Sequence, residues 1–187
     1  MTDQDKHLVQ EAKAGNKRAF GKLVKKHQNK ILFLSHDLIG NYEDAKDLAQ
    51  ETFIRSFEKL SQFQERAQFS TWLYRITVNL AMDFHRRRVR NRHQSLETGL
   101  TEIDRLSSAM RSSATSDHLI NEMEHKALIE IAINKLSMNQ RTATALKYFH
   151  HKTTKEIAEI MGCAEGTVRN HLSRAMSNLK KHLGELL

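Results

Sequence analysis

The stretch that decides the fold is TTKEIAEIMGCAEGTVRNHLSRAMSNL, which runs from Thr153 to Leu179. Thr153 stands three residues before Glu156, and this spacing predicts a capping box in which the hydroxyl and the carboxylate each satisfy a backbone N–H at a helix start. Gly162 follows where glycine can end that helix in the left-handed conformation. A second run of apolar residues at helical spacing begins at Val168. The stretch therefore predicts two short amphipathic helices joined by a tight turn, which is a helix-turn-helix.

The second of these predicted helices has a polar face that can meet DNA. Its apolar residues recur at helical spacing, at Val168, Leu172, Ala175, Met176 and Leu179. The opposite side then carries polar and basic residues, namely Asn170, Ser173, Arg174, Ser177 and Lys181. Arginine and asparagine can make paired hydrogen bonds to base edges in the major groove, and lysine neutralises phosphate. A helical hairpin whose polar face only touches water is the alternative, but the capping box, the glycine turn and the basic second helix together favour DNA binding.

Composition narrows the classes of protein. The 187 residues carry a net charge of +8, which suits a polyanionic partner. Proline is absent, and this composition favours an almost wholly helical chain. No apolar run could span a bilayer and the first ten residues are too polar for a signal peptide, so we expect a cytoplasmic protein with no membrane insertion. The single cysteine, Cys163, excludes an internal disulfide and is expected to be a small buried residue of the turn.

Residues 1–93 predict a first helical domain. Apolar periodicity indicates helices over 5–13 and 18–34, separated by Gly15-Asn16, and a third helix over 43–60. The apolar stripe of the third helix consists of Ala45, Leu48, Ala49, Phe53, Phe57 and Leu60. Its far side is acidic, with Asp44, Asp47, Glu51 and Glu58. The residues alone leave two explanations open, a solvated face that balances nearby lysines or a docking surface for a positively charged protein.

A loop and a basic helix complete this domain. Segment 61–70, SQFQERAQFS, has no helical stripe and predicts a loop. The next helix, over 71–89, is expected to bury Leu73, Ile76, Leu80 and Phe84. A neighbouring line on the same helix carries Trp72, Arg75, Asn79 and Arg86, and the helix ends in HRRRVRNRH. Cations and aromatic faces together are typical of a surface for unpaired nucleic acid, although Trp72 could equally belong to the core.

The next segment, 94–117, predicts a flexible linker. Its serines, threonines and acids show only weak periodicity, and net charge changes from +7 over 1–93 to −3 over 94–126 and +4 over 127–187. The segment lacks the apolar content to hold two modules together, so we expect them to move independently. Residues 118–187 then predict a second domain, with a helix over 118–136, a second capping box at Ser137 and Gln140, a helix over 141–149, and the helix-turn-helix. The predicted fold class is all-α, with two small helical domains.

These residues also resemble a known family, the extracytoplasmic-function group of bacterial RNA polymerase sigma factors. In the first domain the resemblance rests on DAKDLAQETF at 44–53 and on FSTWLYRI at 69–76 followed by Asn79. In the second it rests on 136–141 and on EIAEIMG at 156–162 with GTVR at 166–169. It covers nearly the whole chain. The resemblance implies that the first domain binds core RNA polymerase and opens the −10 promoter element, and that the second reads the −35 element.

The resemblance also implies roles for single residues. Contact with the clamp helices of the polymerase beta-prime subunit falls to Asp44, Asp47, Gln50 and Glu51. Capture of a flipped base and binding of the −10 strand fall to Phe63, Phe69, Trp72, Arg75, Asn79, Arg86 and Arg87. Contact with the −35 duplex falls to Thr167, Arg169, Asn170, His171, Ser173 and Arg174. The beta flap and an anti-sigma factor are further implied partners, whereas no cofactor, metal or catalytic residue is implied because polymerase does the chemistry.

Three positions depart from the family pattern. The loop carries no glycine near Gln64-Glu65, Ser137 stands where a proline is common, and Asn170-His171 replaces the usual serine-arginine.

Two other functions are alternatives. VRNHL at 168–172 also resembles the LuxR-type regulators, which would make the chain a promoter-bound activator, although the motifs of the first domain argue against it. A metal-dependent enzyme would need ligands at suitable spacing. His150-His151 lacks a nearby carboxylate pair and Cys163 has no partner at ligand spacing, so an enzyme is not expected.

Overall fold

The computed structural model describes residues 3–96 and 128–184, and every regular element within those ranges is helical. The first domain contains α1 (Asp3–Lys13), α2 (Lys17–Ile39), α3 (Tyr42–Glu58), a 3₁₀ turn (Leu60–Gln62) and α4 (Phe69–Leu96). The second contains α5 (128–134), α6 (Met138–Thr144), a π-helical turn (Ala145–Phe149), α7 (Thr154–Met161) and α8 (Glu165–Gly184). The predicted all-α fold class is confirmed.

Asparagine and glycine set the helix ends in the first domain. The Asn16 side chain accepts hydrogen bonds from two backbone N–H groups of α2, at 3.1 and 3.2 Å, and Asn41 caps α3 in the same way at 3.0 Å. Gly40 ends α2 with φ of 78°, in the left-handed region. The Gly15-Asn16 break predicted from the sequence therefore lies between the observed α1 and α2, although α2 continues to Ile39 instead of ending at residue 34.

The buried face of α3 differs from the predicted stripe. Ala45, Leu48 and Ala49 are buried as expected, but the buried face continues through Thr52 and Ser56. Phe57, which was predicted to be core, is 45% exposed. Threonine and serine can occupy this contact because their hydroxyl groups donate to carbonyl groups of their own helix. Neither hydroxyl is therefore buried without a hydrogen-bond partner.

α4 also turns a different face inward than predicted. Leu73 is buried as expected, but Ile76, Leu80 and Phe84 are only half-buried. The buried positions are instead Tyr74, Thr77, Val78 and Ala81. The reason is that α4 packs against both domains, since it contacts α2 and α3 of the first domain and α6 and α7 of the second.

Two predictions for the second domain are wrong in detail. Ser137 does stand at the start of α6, but its hydroxyl makes no capping bond. Gln140 instead accepts a hydrogen bond at 3.0 Å from the Asn178 side chain of α8, which explains why the capping box does not form. The helix predicted over 141–149 is the end of α6 followed by the π-helical turn.

The predicted linker is described only at its start. α4 extends to Leu96, so residues 94–96 are helical and the first domain reaches beyond the boundary predicted at 93. Residues 97–117 and the predicted start of the second domain at 118 lie outside the described residues. The domain boundaries therefore stay predictions.

The two domains pack directly against each other. α4 contacts α7, and α2 contacts both α6 and the π-helical turn. Buried residues of both domains, among them Val78, Leu146 and Ile157, belong to one hydrophobic cluster. The expectation of independently moving modules was based on the linker alone, and this interface holds the domains together without it.

Candidate functional site

The capping box at the start of α7 forms as predicted. The Thr153 hydroxyl accepts a hydrogen bond from the Glu156 N–H at 3.2 Å, and the Glu156 carboxylate accepts one from the Thr153 N–H at 2.9 Å. This backbone bond is the main reason that the pKa of Glu156 is lowered. Gly162 then ends α7 at φ of 65°. The helix-turn-helix is confirmed, with half-buried Cys163 in its turn.

α8 presents most of the residues predicted for the −35 element. Five of the six are exposed, namely Thr167, Arg169, Asn170, Ser173 and Arg174, and His171 is half-buried. Arg169 lies 3.7 Å from Glu165 one turn earlier, an exposed pair that costs little to break. Val168 and Ala175 are buried as expected, whereas Met176, predicted to be core, is 42% exposed. The outer face of α8 is thus largely polar, with Met176 as an exposed apolar residue on it.

Four of the residues predicted for the −10 strand are exposed on α4. They are Arg75, Asn79, Arg86 and Arg87. Arg75 and Asn79 lie one helical turn apart, so their side chains are neighbours. Arg86 is paired with Asp83 in an exposed ion pair. Together these residues put three guanidinium groups and one amide on the exposed surface of α4.

The aromatic residues at the start of α4 are packed together. The ring centroids of Phe63 and Trp72 are 4.9 Å apart, and Phe69 lies 5.7 Å from each. Phe63 is 4% exposed and Phe69 only 1%, while Trp72 is half-buried. The prediction that the rings of Phe63 and Phe69 contact DNA does not match their burial, because both are surrounded by protein. They support Trp72, whose remaining surface is accessible.

The loop before α4 keeps a left-handed residue although it lacks a glycine. Glu65 adopts φ of 57°, a conformation that costs a non-glycine residue about 1–2 kcal/mol. Lys13 of α1 lies 3.2 Å from the Glu65 carboxylate and donates a hydrogen bond at 2.5 Å to the carbonyl of Phe63. These two contacts fix the conformation of the loop, which the absence of a glycine in the sequence did not reveal.

The four residues predicted for polymerase contact lie along α3. Asp47 and Gln50 are exposed, and Asp44 and Glu51 are half-buried. Glu51 accepts a hydrogen bond from Arg55 at 2.7 Å, which raises the pKa of that arginine and balances part of the negative charge.

A groove beside this acidic face was missed from the sequence. It lies between α2 and α3, has a volume of about 630 Å³, and includes Gln50 in its wall. Its apolar lining comes from Phe20, Val24, Leu32, Phe53, Ile54 and Phe57. Ile54 was the available signal, because it is an apolar residue off the predicted stripe and is 45% exposed. The surface therefore combines carboxylates with a place for an apolar side chain.

Metal binding and membrane insertion can be checked against the described residues. Within them, no group of His, Cys, Asp and Glu is placed to hold a metal ion. In the same ranges, no helix has the length and apolar character needed to cross a bilayer.

Comparison with known proteins assigns both domains to one family. The family model of sigma-70 region 2 matches residues 23–91, and that of sigma-70 region 4 matches residues 126–179. The chain is 34% identical over 186 residues to the RNA polymerase sigma-H factor of Pseudomonas aeruginosa, an alignment that covers 99% of this chain and 96% of the relative. It is 32% identical to the ECF RNA polymerase sigma factor SigW of Bacillus subtilis, with 97% of each covered.

Two solved structures share the fold. The structure of CnrH in complex with the cytosolic domain of CnrY matches with a TM-score of 0.69 and 23% identity, over 98% of this chain and 99% of that one. The sigma factor RpoE in complex with the anti-sigma factor NepR, from Bartonella quintana, matches with a TM-score of 0.66 and 24% identity, over 88% and 96%. Because residues 23–91 match sigma region 2, the LuxR-type alternative is not supported. The chain belongs to the extracytoplasmic-function group of RNA polymerase sigma factors.

Proposed function

We propose that this protein binds core RNA polymerase and directs it to promoters, reading the −35 element with α8 and opening the −10 element with α4. The observation that carries this proposal is the division of surfaces within a chain of this family. One helix presents carboxylates and an apolar groove, and two others present cations and amides. A protein partner and a nucleic acid partner can therefore bind the same molecule at different faces.

The polymerase would dock on α3. Asp47 and Gln50 offer polar contacts to a basic partner, and the groove beside them offers burial for an apolar side chain at about 25 cal/mol per Å². Charge complementarity sets the register and speeds association, while a filled apolar pocket supplies most of the affinity. The beta-prime clamp helices are the proposed partner here, and the beta flap is the proposed partner of the second domain.

The two DNA surfaces would act in different steps. Asn170 and Arg174 on α8 are placed to bond base edges of duplex DNA in the major groove. Trp72, Arg75 and Asn79 on α4 offer one aromatic face, one cation and one amide to a strand whose bases have left the stack. Removing a base from the stack costs a few kcal/mol, which stacking and strand contacts would offset. Phe63 and Phe69 are proposed to hold Trp72 in place.

Other parts of the proposal follow from this role. The chain would carry no catalytic residue, because polymerase does the chemistry, and it would act in the cytoplasm where polymerase is found. An anti-sigma factor is a further proposed partner, since one structure of the same fold is a complex with such an inhibitor.

The test is whether the protein co-purifies with core polymerase and supports initiation from a duplex promoter. Asp47→Arg together with Glu51→Arg should abolish both activities while the circular dichroism spectrum stays helical, because both side chains reach solvent. A matched control makes the same charge change at Glu130 and Glu159, which are exposed in the second domain. Full polymerase affinity in the α3 double variant, or equal loss in the control, would contradict the docking surface.

A further inference from the structure

A histidine of the second domain lies between two polar groups of the first. The Nε2 atom of His150 is 2.9 Å from a carboxylate oxygen of Asp37, near the end of α2. Its Nδ1 atom is 3.2 Å from the hydroxyl oxygen of Tyr74, in α4. The His150 side chain is 8% exposed, so these contacts are largely shielded from water. One imidazole thus joins two helices of the other domain.

The protons in this cluster have a consistent arrangement. Burial, helped by Asp37 and Glu156, raises the pKa of Tyr74 to about 12, so its hydroxyl stays protonated. The hydroxyl can therefore donate to Nδ1 while the Nε2–H group donates to the Asp37 carboxylate. With the proton on Nε2, one imidazole satisfies both partners at once, and its ring lies edge-on to that of Tyr74 with centroids 5.4 Å apart.

A buried arginine makes a second bridge between the domains. Arg141 of α6 donates at 3.1 Å to the carbonyl of Leu38 in the last turn of α2, and at 2.5 Å to the carbonyl of Asn134. The last carbonyls of a helix have no partner within it and carry partial negative charge, so a guanidinium group is well suited to cap them. At Gly40, the next turn of chain, an added Cβ would lie 2.9 Å from the Asn134 side chain. Residues of the second domain therefore cap and cover the C-terminal end of α2.

This closed arrangement brings the two proposed DNA helices close together. α4 packs on α7, and α7 packs on α8. Packed helices lie about 8–10 Å apart, so the axes of α4 and α8 are about 20 Å apart or less where both pack on α7. The −35 and −10 elements are named for positions about 25 base pairs apart, which at about 3.4 Å per base pair is about 85 Å of duplex. The axis separation is much shorter than this span, so we expect the closed molecule to engage one element at a time.

We propose that Asp37, Tyr74, Arg141 and His150 form an interdomain latch that holds the free protein closed, and that the latch opens before one molecule engages both promoter elements. The link between latch opening and promoter binding rests on the proposed function, whereas the latch itself does not. The latch contacts are polar, so water can replace these hydrogen bonds when the domains move apart. Polar contacts are common at interfaces between domains that move relative to each other. A partner that binds only the open form then binds with an affinity reduced in proportion to the open fraction.

The first test measures distance in the free protein. Spin labels at Lys22→Cys and Lys180→Cys, both exposed positions in different domains, would be placed in a Cys163→Ser background. Double electron–electron resonance should give one narrow, short distance distribution. His150→Ala should make it longer and broader, and Tyr74→Phe, which removes only the hydroxyl, should do so to a smaller extent. His151→Asn is the matched control, because that neighbour is exposed and asparagine tolerates its φ of 51°.

The outcomes of this test are distinct. A broad distribution in the unaltered protein would overturn the latch, as would an unchanged distribution in both Tyr74→Phe and His150→Ala. Circular dichroism identifies a variant that has lost its helices, and Tyr74→Phe keeps the ring in place if His150→Ala should unfold.

The second test measures polymerase binding. Loss of one ordinary hydrogen bond should shift the closed–open equilibrium about fivefold, so Tyr74→Phe should raise the apparent affinity for core polymerase by up to that factor. His151→Asn should leave it unchanged. An affinity that falls in Tyr74→Phe would overturn the latch as a brake on binding. Absence of polymerase binding by the unaltered protein would instead overturn the proposed function, and the distance measurement would still decide the latch.

Discussion

The two helices assigned to DNA, α4 and α8, differ in how much of their surface the protein itself uses. α8 buries Val168 and Ala175 and leaves a largely polar face outside. α4 is covered on two sides, by the first domain and by α7, and its aromatic start is packed against the preceding loop. α8 packs on α6 and α7 of its own domain, and its buried positions fall on one apolar stripe, which periodicity identifies. A helix that packs against two domains buries positions that a single stripe does not predict.

The sharpest way to break this comparison is to remove a ring that α4 uses for packing. Phe69→Ala should lower the free energy of unfolding by about 3–5 kcal/mol, because the ring is fully buried and a cavity would remain. Fluorescence of Trp72, the only tryptophan, would follow denaturant unfolding next to the cavity. Val89→Ala, at a partly exposed position of the same helix, is the control and should change stability by less than about 0.5 kcal/mol. Unchanged stability with impaired promoter opening would mean that Phe69 contacts DNA after all.

The second prediction concerns the different steps of α8 and α4, which are binding of the −35 duplex and opening of the −10 element. Arg174→Ala and Asn170→Ala should each weaken binding to an isolated −35 duplex by about 1–3 kcal/mol, since each residue is exposed and can bond a base edge. Asn79→Ala should spare that affinity and reduce opening of the −10 element in a reconstituted holoenzyme. Permanganate reactivity of unpaired thymines measures opening. Normal opening by Asn79→Ala, or unchanged duplex affinity of Arg174→Ala, would show that the corresponding assignment is wrong.

A smaller effect tests how α8 is supported. Thr153→Ala removes the hydroxyl of the capping box and should destabilise the second domain by about 1 kcal/mol, measured as a shift in thermal unfolding. Thr154→Ala, at the next residue, keeps the cap and should have little effect. If the two variants are equally stable, the capping box does not hold α7.

The smallest expected effect is a pH dependence confined to the first domain. His27 is buried edge-on against Phe69 and lies 3.3 Å from Asp5, and burial lowers its pKa below the usual 6.5. The folded form then binds a proton less readily than the unfolded form, so this stability is present above pH 6.5 and is lost as pH falls from 6.5 toward the folded pKa. Unfolding followed by Trp72 fluorescence should show lower stability at pH 5 than at pH 7.5. His27→Gln should lessen that difference, and an equal difference in both proteins would contradict the assignment.

Local motifs determined much of the second domain from the sequence alone. The capping box of Thr153 and Glu156 and the left-handed Gly162 depend on groups three to five residues apart, so the sequence contains all the interacting parts. The same holds for Asn16 and Asn41, which cap the helices that follow them. The exposed face of α8 was predicted for the same reason, because a helix that packs only within its own domain, here on α6 and α7, shows its outer side in its own periodicity. The family motifs located the acidic helix in the same way.

Tertiary structure alone decided the burial of Phe63 and Phe69, the groove beside Gln50 and the contacts of His150. Each depends on which distant segments meet: Lys13 is 50 residues before Phe63, and Asp37 is 113 residues before His150. The second capping box failed for a related reason, since Asn178 of α8 offers Gln140 a partner that local spacing does not reveal. A side chain takes the partner that completes its burial and hydrogen bonding at once, and that partner is fixed by the packing of the whole chain.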